Sequence, residues 1–257
     1  LTDIINLKKN DIICDIGSND GTFLSFFSKK YKLIGIDPTI KKLSKYYRKD
    51  ITKIPEFFSE KIIKKKTNKK IKMITSISMF YDIEKPVKFV NEVFNILDDE
   101  GIWHLEQSYM PAMIKNNSYD TICHEHLEYY SLTSIKYIFD RVGFKIIDLN
   151  FNNINGGSFS ITVAKKKSKF KEDRDLIKWL INKEDLYNYN KIKTFKNFFK
   201  EIKKHKIAFK NLLLELKKNN KKVLGYGAST KGNVILQFCN INSCLLYTSD
   251  AADDIPG

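Results

Sequence analysis

The feature that most narrows the fold is a short loop, Asp15-Ile16-Gly17-Ser18-Asn19-Asp20-Gly21, set between a β-rich run and an amphipathic one. A strand that ends near an acid, turns through two glycines and enters a helix places backbone N–H groups at the carboxyl edge of a sheet, where a ligand can approach without hindrance from a Cβ. Asp37 stands at the end of a second strand, in Gly35-Ile36-Asp37-Pro38. An acid about twenty residues beyond the glycine turn is placed to accept both hydroxyls of a ribose. Strand, turn, helix and acid in this order predict an α/β fold of the nucleotide-binding kind. The plainer alternative is that Gly17 and Gly21 only make a turn and Asp37 only caps a helix.

The pattern continues along the chain. Strands are predicted at residues 11–16, 32–37, 51–54, 72–76 and 101–106, alternating with lysine-rich amphipathic stretches, of which Thr22 to Lys30 is the clearest helix. A helix over residues 133–142 ends at Gly143, and strands at 144–150 and 158–164 follow, joined through Gly156-Gly157. Five alternating units closed by a hairpin are the order of the class I methyltransferase sheet, a Rossmann-like seven-stranded α/β fold. From Lys167 to Asn220 the apolar residues fall at spacings of three and four (Leu176, Trp179, Leu180; Phe195, Phe198, Phe199, Ile202), which predicts two long helices. At Lys221 the pattern resets to a strand and a glycine turn, Val223-Leu224-Gly225-Tyr226-Gly227, with a helix from about Lys231. One strand and one helix cannot bury their apolar faces alone.

The loop chemistry points to a particular kind of ligand. Dinucleotide enzymes take a diphosphate onto the helix amino terminus, but here the middle glycine is replaced by Asn19 and followed by Asp20, and acids beside a diphosphate are unfavourable. A zwitterion suits the loop better. S-adenosylmethionine offers an amino group and a sulfonium that Asp15 or Asp20 can attract, with Gly17, Asn19 and Gly21 shaping the approach and Asp37 taking the ribose. Met79 and Phe80, in Met79-Phe80-Tyr81-Asp82 after the fourth strand, would flank the adenine and methionine ends, although both could equally be core.

After the fifth strand the chain reads Glu106-Gln107-Ser108-Tyr109, then Tyr119-Asp120-Thr121-Ile122-Cys123-His124-Glu125-His126-Leu127-Glu128-Tyr129-Tyr130-Ser131. Alternation puts His124 and His126 on one face of an extended segment, a spacing a metal could use, but no third ligand follows and no metal is expected. A structurally bonded histidine pair is a second reading. The third is catalytic, because loops after these strands lie where the cofactor binds.

Four segments together resemble the sugar C-methyltransferase family that acts on nucleotide-linked deoxysugars: Gly17-Ser-Asn-Asp-Gly21, Cys123-His-Glu-His126 with Tyr129-Tyr130-Ser131, Asn155-Gly-Gly-Ser158, and Gly225-Tyr-Gly-Ala-Ser-Thr-Lys-Gly232. They run in the family's order and span the chain from Asp11 to about Asn240. The resemblance implies carbon methylation beside a ketone, with His126 as the base that forms the enolate, Glu125 orienting sugar hydroxyls or the imidazole, and His124 in support. Tyr129, Tyr130 or a tyrosine of a domain outside this chain would donate to the enolate oxygen. Glu106 and Tyr130 would contact the sugar, and Gly225, Gly227 and Lys231 its nucleotide phosphates, unless the last segment is an ordinary glycine turn. Relatives place a tyrosine where Cys123 stands, so no tyrosine role transfers to that position. The family also has a zinc-binding amino-terminal domain and a carboxyl-terminal nucleotide-type domain.

This implies four parts: a methyltransferase domain over residues 1–168, a helical connector over 169–220, the start of a carboxyl-terminal domain over 221–243, and a tail over 244–257. The tail, from Cys244 through Leu-Leu-Tyr-Thr-Ser-Asp-Ala-Ala-Asp-Asp254, departs from the lysine-rich composition before it and resembles a translated sequencing adapter. With Leu1 at the start, zinc is expected only in a domain upstream, and a chain of this extent is expected to be inactive by itself.

Charge argues for little. The formal net charge is +15, but only Arg48, Arg141 and Arg174 of the 45 basic residues are arginines, the side chain favoured for bidentate phosphate and base recognition. Nucleic acid is therefore not expected as a partner, and an RNA methyltransferase is the weakest alternative. An O- or N-methyltransferase for a small molecule is the nearest one. Four scattered cysteines form no C-x-x-C pair, and no apolar run reaches the roughly 18 residues of a membrane span. The expected partner is a nucleotide-sugar in the cytoplasm, with no membrane; the oligomeric state is not legible.

Overall fold

The computed structural model describes residues 1–226 and 229–248. In chain order its elements are β1 (Ile12–Ile16), α1 (Thr22–Ser25), β2 (Lys32–Ile36), α2 (Ile40–Leu43), β3 (Ile51–Ile54), α3 (Glu60–Lys66), β4 (Ile71–Ile77), α4 (Pro86–Ile96), β5 (Leu97–Ser108), α5 (Met110–Lys115), α6 (Leu132–Val142), β6 (Phe144–Asn152), β7 (Ser158–Lys165), α7 (Arg174–Leu186), α8 (Ile192–Lys218), β8 (Leu224–Gly225), α9 (Thr230–Cys239) and β9 (Tyr247–Thr248). The chain divides into two compact units. The first comprises Leu1–Tyr109 and Leu127–Glu184, and the second Met110–His126 with the residues from Asp185 onward.

The first unit is built on one sheet in the order β3-β2-β1-β4-β5-β7-β6. β1 to β5 are parallel, and β7 enters antiparallel between β5 and β6. All five residues of β1 are buried, as a parallel strand covered on both faces requires. Ile12, Cys14 and Ile16 pack into one apolar cluster and Ile13 into the other, so the sheet is the middle of three layers. α4 presents Phe89, Val90, Val93 and Ile96 to the sheet, and α6 presents Leu132, Ile135, Ile138 and Phe139, each a helical stripe. Between them lies Trp103 of β5, its ring centroid 5.5–6.0 Å from those of Phe80, Phe89, Phe139 and Phe144 and its indole N–H donating to Ser76 Oγ at 2.9 Å.

Three expectations are adjusted. The helix expected over residues 22–30 stops at Ser25, because the Arg48 guanidinium takes the carbonyls of Ser25 and Phe27 and turns the chain. β5 begins at Leu97, four residues before Gly101. α7 lies almost wholly in the first unit instead of forming a connector, because Glu184 is tied to the start of α6.

In the second unit α8 runs for 27 residues and α9 for 10. The Tyr119 hydroxyl lies 2.8 Å from His205 Nδ1 on α8 and 3.4 Å from Cys239 Sγ on α9, with its ring against Phe238. This phenol joins the two helices to the segment before the histidine loop. β8 pairs in parallel with β9, through Leu224–Tyr247 and Gly225–Thr248. Among the described residues no helix is long and apolar enough to cross a membrane.

Candidate active site

The carboxyl edge of β1, β2 and β4 carries the cradle. Gly17 and Gly21 both hold left-handed backbone, at φ +79° and +78°, and Asn19 does so at +47°. The Gly17 N–H donates to Ile36 O at 2.9 Å and that of Gly21 to Ser18 O at 2.8 Å, so the loop folds back on β2 before entering α1. Asp37 accepts the Asn19 N–H at 3.1 Å on Oδ2, and both the N–H and hydroxyl of Thr39, at 2.7 and 2.6 Å, on Oδ1. The loop and the acid at the end of β2 are therefore one hydrogen-bonded assembly. Asp37 also caps its own turn; a carboxylate has about four acceptor sites, so capacity for a ligand remains.

Asp15 is 4% exposed, and its Oδ1 accepts from Thr75 Oγ1 on β4 at 2.6 Å. Burial pushes its pKa up to about 7, with the Thr75 hydrogen bond opposing the shift and the Asp37 charge adding to it. A cation placed beside it would draw off that proton. Asp20 is half-buried and accepts the Thr22 N–H at 2.9 Å, which lowers its pKa, so it stays ionised at the mouth of the loop.

A cavity of about 680 Å³ opens beside the loop, lined among others by Gly17, Asp37, Phe57, Phe58, Met79 and Phe89. This volume lies in the roughly 300–1,000 Å³ range of small-molecule sites. Met79 is on its wall, where a Cβ on Gly17 would come within 3.0 Å of Met79 Cγ. Phe80 is not: it is fully buried, packed on Trp103, Phe89 and Tyr130, and belongs to the core. The neighbour that sequence periodicity missed is Phe57, 81% exposed at the cavity, in a short loop after β3 that carries no motif.

Farther along the edge, Glu106 is half-buried near the end of β5, where its carbonyl accepts the Ser78 N–H at 2.7 Å. Beside it Gln107 is 1% exposed, with neither end of its amide hydrogen-bonded among the described residues. The N–H groups of Leu127 and Glu128 both donate to Tyr81 O at 3.0 Å, pinning the chain that leads into Tyr129 and Tyr130. Tyr129 is partly exposed. Tyr130 is buried, its ring 5.2 Å from that of Phe80, and its hydroxyl has no hydrogen-bond partner among the described residues. Burial, with a smaller contribution from Glu128, raises the pKa of that phenol well above its ordinary value.

His124, Glu125 and His126 belong to the second unit. His124 and Glu125 are exposed and His126 is half-buried. The Nδ1 of His126 lies 2.7 Å from the carbonyl oxygen of Thr121. A carbonyl only accepts, so Nδ1 carries the proton and Nε2 is the basic nitrogen of the neutral ring. Among the described residues no group of three or more His, Cys, Asp or Glu side chains could hold a metal. Gly225 lies in β8, where a Cβ would meet Leu246 at 3.2 Å, and Lys231 in the first turn of α9, which Ser229 caps through the Gly232 N–H. Gly227 falls outside the described residues.

The sheet order, with β7 reversed and a glycine loop and acid at the carboxyl ends of β1 and β2, defines a class I S-adenosylmethionine-dependent methyltransferase domain. A family model described as a methyltransferase domain matches residues 3–149, and the chain belongs to that family. A second model, described as a C-methyltransferase C-terminal domain, matches residues 153–254. The boundary between the two matches falls in and just after β6, although the sheet is complete only with β7 beyond it. The second match also overlaps residues 244–254, set apart above on composition.

The C-methyltransferase NovU of Streptomyces niveus is 25% identical over 240 residues, 92% of this chain; the chain spans 57% of that protein's length. Among solved structures, the YcgJ protein of Bacillus subtilis superimposes with a TM-score of 0.50 at 14% identity, over 63% of this chain and 95% of its own. A variant of LepI, solved in complex with SAH and a substrate analogue, does so with a TM-score of 0.52 at 10% identity, over 64% of this chain and 46% of its own. Both likenesses are of fold. The cradle fits the cofactor of the class: a left-handed glycine at the cavity wall, a buried acid behind it and a second acid bonded to the loop.

Proposed function

We propose that the protein is a C-methyltransferase acting on a nucleotide-linked keto-deoxysugar, with His126 as the base. One observation supports this reading beyond methyl transfer in general: the Nδ1–H of His126 is held by the Thr121 carbonyl, which sets the tautomer with the ring's lone pair on Nε2. Transfer to an oxygen or nitrogen nucleophile needs no base able to form a carbanion, whereas transfer to carbon does. Resemblance to NovU, whose name states C-methylation, supports the same choice.

In this mechanism Asp15, Gly17, Asn19, Asp20, Gly21, Asp37 and Met79 hold S-adenosylmethionine, which supplies an electrophilic methyl group on its sulfonium. Nε2 of His126 takes the proton from the carbon beside the ketone, and the electrons of the broken C–H bond pass toward the ketone oxygen. Glu125 orients sugar hydroxyls or the imidazole, and His124 supports the loop. Tyr129 or Tyr130 donates to the enolate oxygen; a buried Tyr130 hydroxyl with no partner among the described residues and a raised pKa supports that role, since it stays protonated and lacks an acceptor there. Glu106 contacts the sugar, and Gly225, Gly227 and Lys231 its phosphates.

The test is solvent deuterium exchange at the carbon beside the ketone of a nucleotide-linked keto-deoxysugar. With the flanking domains that the resemblance implies in place, this exchange is expected to be catalysed, and His126→Ala abolishes it while leaving S-adenosylhomocysteine binding intact. Methyl transfer to oxygen or nitrogen that persists in His126→Ala overturns the reading.

A further inference from the structure

Tyr47 carries no motif and lies in the segment after α2, 28 residues from Asn19 in sequence. It is buried in the apolar cluster on the α1 and α2 face of the sheet, which would account for an ordinary core tyrosine. Its hydroxyl, however, reaches the cofactor loop. The Tyr47 O–H donates to the Asn19 carbonyl at 2.9 Å, and the Ser18 hydroxyl lies 2.7 Å from the Tyr47 hydroxyl oxygen. A phenol has one proton, and here it goes to Asn19, so Ser18 donates to Tyr47. The series runs from Ser18 Oγ to Tyr47 to Asn19 O, and the Asn19 N–H then meets Asp37 Oδ2 at 3.1 Å.

The ring matters as much as the hydroxyl. A Cβ on Gly21 would lie 2.6–2.9 Å from three atoms of the Tyr47 ring, and one on Gly35 would lie 2.9 Å from it. Gly21 is thus small on the side facing Tyr47, and the loop is moulded around this ring.

We infer that Tyr47 is a positioning residue for cofactor binding: its hydroxyl holds Ser18 and Asn19 so that the loop and Asp37 present one preformed surface to the ligand. This rests on the cofactor reading of the loop. Without the hydroxyl, the Asn19 carbonyl and the Ser18 hydroxyl lose their shared partner, and the left-handed backbone at Asn19 loses its brace. Burial, partly offset by the Ser18 hydrogen bond, lifts the phenol pKa to about 12, so the donor is present at any physiological pH. The effect is one of preorganisation: order that the loop lacks before binding must be supplied during it.

Tyr47→Phe tests this, since it keeps the ring against Gly21 and Gly35 and removes only the oxygen. Titration calorimetry of the chain with S-adenosylhomocysteine is expected to show Kd weakened about tenfold, equivalent to about 1.4 kcal/mol. In the free variant the amide NMR resonances of Ser18, Asn19 and Gly21 broaden and sharpen again on saturation with S-adenosylhomocysteine, while those of β6 and β7 do not move. Ser18→Ala, which removes one donor and leaves the Tyr47 to Asn19 bond, weakens binding by a smaller factor. Equal affinity for wild type and Tyr47→Phe, or a drop in melting temperature with unchanged Kd and unchanged loop resonances, overturns the inference. No binding by the wild-type chain overturns the cofactor reading and the inference with it.

Discussion

Replacing Glu184 with alanine should cost the first unit several kcal/mol, although no catalytic or binding role attaches to this residue. Its carboxylate is 4% exposed and accepts four hydrogen bonds: from the Leu132 N–H at 2.7 Å, the Thr133 N–H at 2.9 Å, the Thr133 hydroxyl at 2.5 Å and the Tyr109 hydroxyl at 2.7 Å. The first two are among the four N–H groups that every helix leaves open at its start. Ser131 and Ser134 satisfy the others in a reciprocal pair, Ser131 Oγ accepting the Ser134 N–H and Ser134 Oγ accepting the Ser131 N–H, so α6 begins with all four satisfied. The negative charge also faces the positive end of the helix.

A buried donor left without an acceptor costs about 1–3 kcal/mol, and Glu184→Ala strands two backbone N–H groups in addition to the hydroxyls, which can rotate to other partners. The expected loss is about 3–4 kcal/mol, a large share of the roughly 5–15 kcal/mol that holds a typical domain together. For a unit of this size that is a fall in melting temperature of about 6–16 °C. Glu184→Gln keeps one acceptor oxygen and loses the charge, and should fall about half as far. Thermal melts followed by circular dichroism measure both. A Glu184→Ala melting temperature within about 2 °C of wild type would refute the view that this carboxylate caps α6.

Asp15 and His104 should impose opposite pH dependences. Asp15 has a folded pKa near 7, above its unfolded value near 3.9, so the folded state holds more protons between those limits and its contribution falls as pH rises from about 4 to 7. Burial lowers the folded pKa of His104, bonded to Thr162 Oγ1, to about 4, so its contribution rises with pH from about 4 to 6.5. Asp15→Asn should therefore raise the cofactor-free melting temperature above pH 7 relative to wild type, with no gain below pH 4; a constant difference across that range refutes the Asp15 assignment. Gly21→Ala should be worse than Gly17→Ala in melting temperature, since its Cβ meets the braced Tyr47 ring at 2.6 Å and that of Gly17 meets flexible Met79 at 3.0 Å. Equal losses would mean that left-handed backbone alone sets the cost at both. Phe57→Ala should weaken S-adenosylhomocysteine binding without lowering the melting temperature, because a ring 81% exposed contributes contacts only when a ligand covers it; unchanged Kd in calorimetry would remove Phe57 from the site.

By itself, the sequence determined the parts whose cause is local. Continuous apolar strands, amphipathic helices and a glycine loop at the end of β1 are set by neighbours a few residues away, and the sheet order follows from their succession. Asp15, Gly17, Asn19, Asp20, Gly21 and Asp37 were all legible, because a turn needing positive φ and an acid one strand later leave a spacing in the chain. What depended on distant partners was not legible. Met79 and Phe80 are adjacent and chemically alike, yet one lines the cavity and the other is sealed in the aromatic core, a choice made by the direction each side chain takes from the sheet. Glu184 reads as one more charge on a helix until α7 brings it to the start of α6. Gly21 shows the division within a single residue. Its left-handed turn could be read from the sequence as an opening for a ligand, but only the tertiary structure brings the Tyr47 ring against it, because a glycine records that a Cβ is forbidden and not what would forbid it.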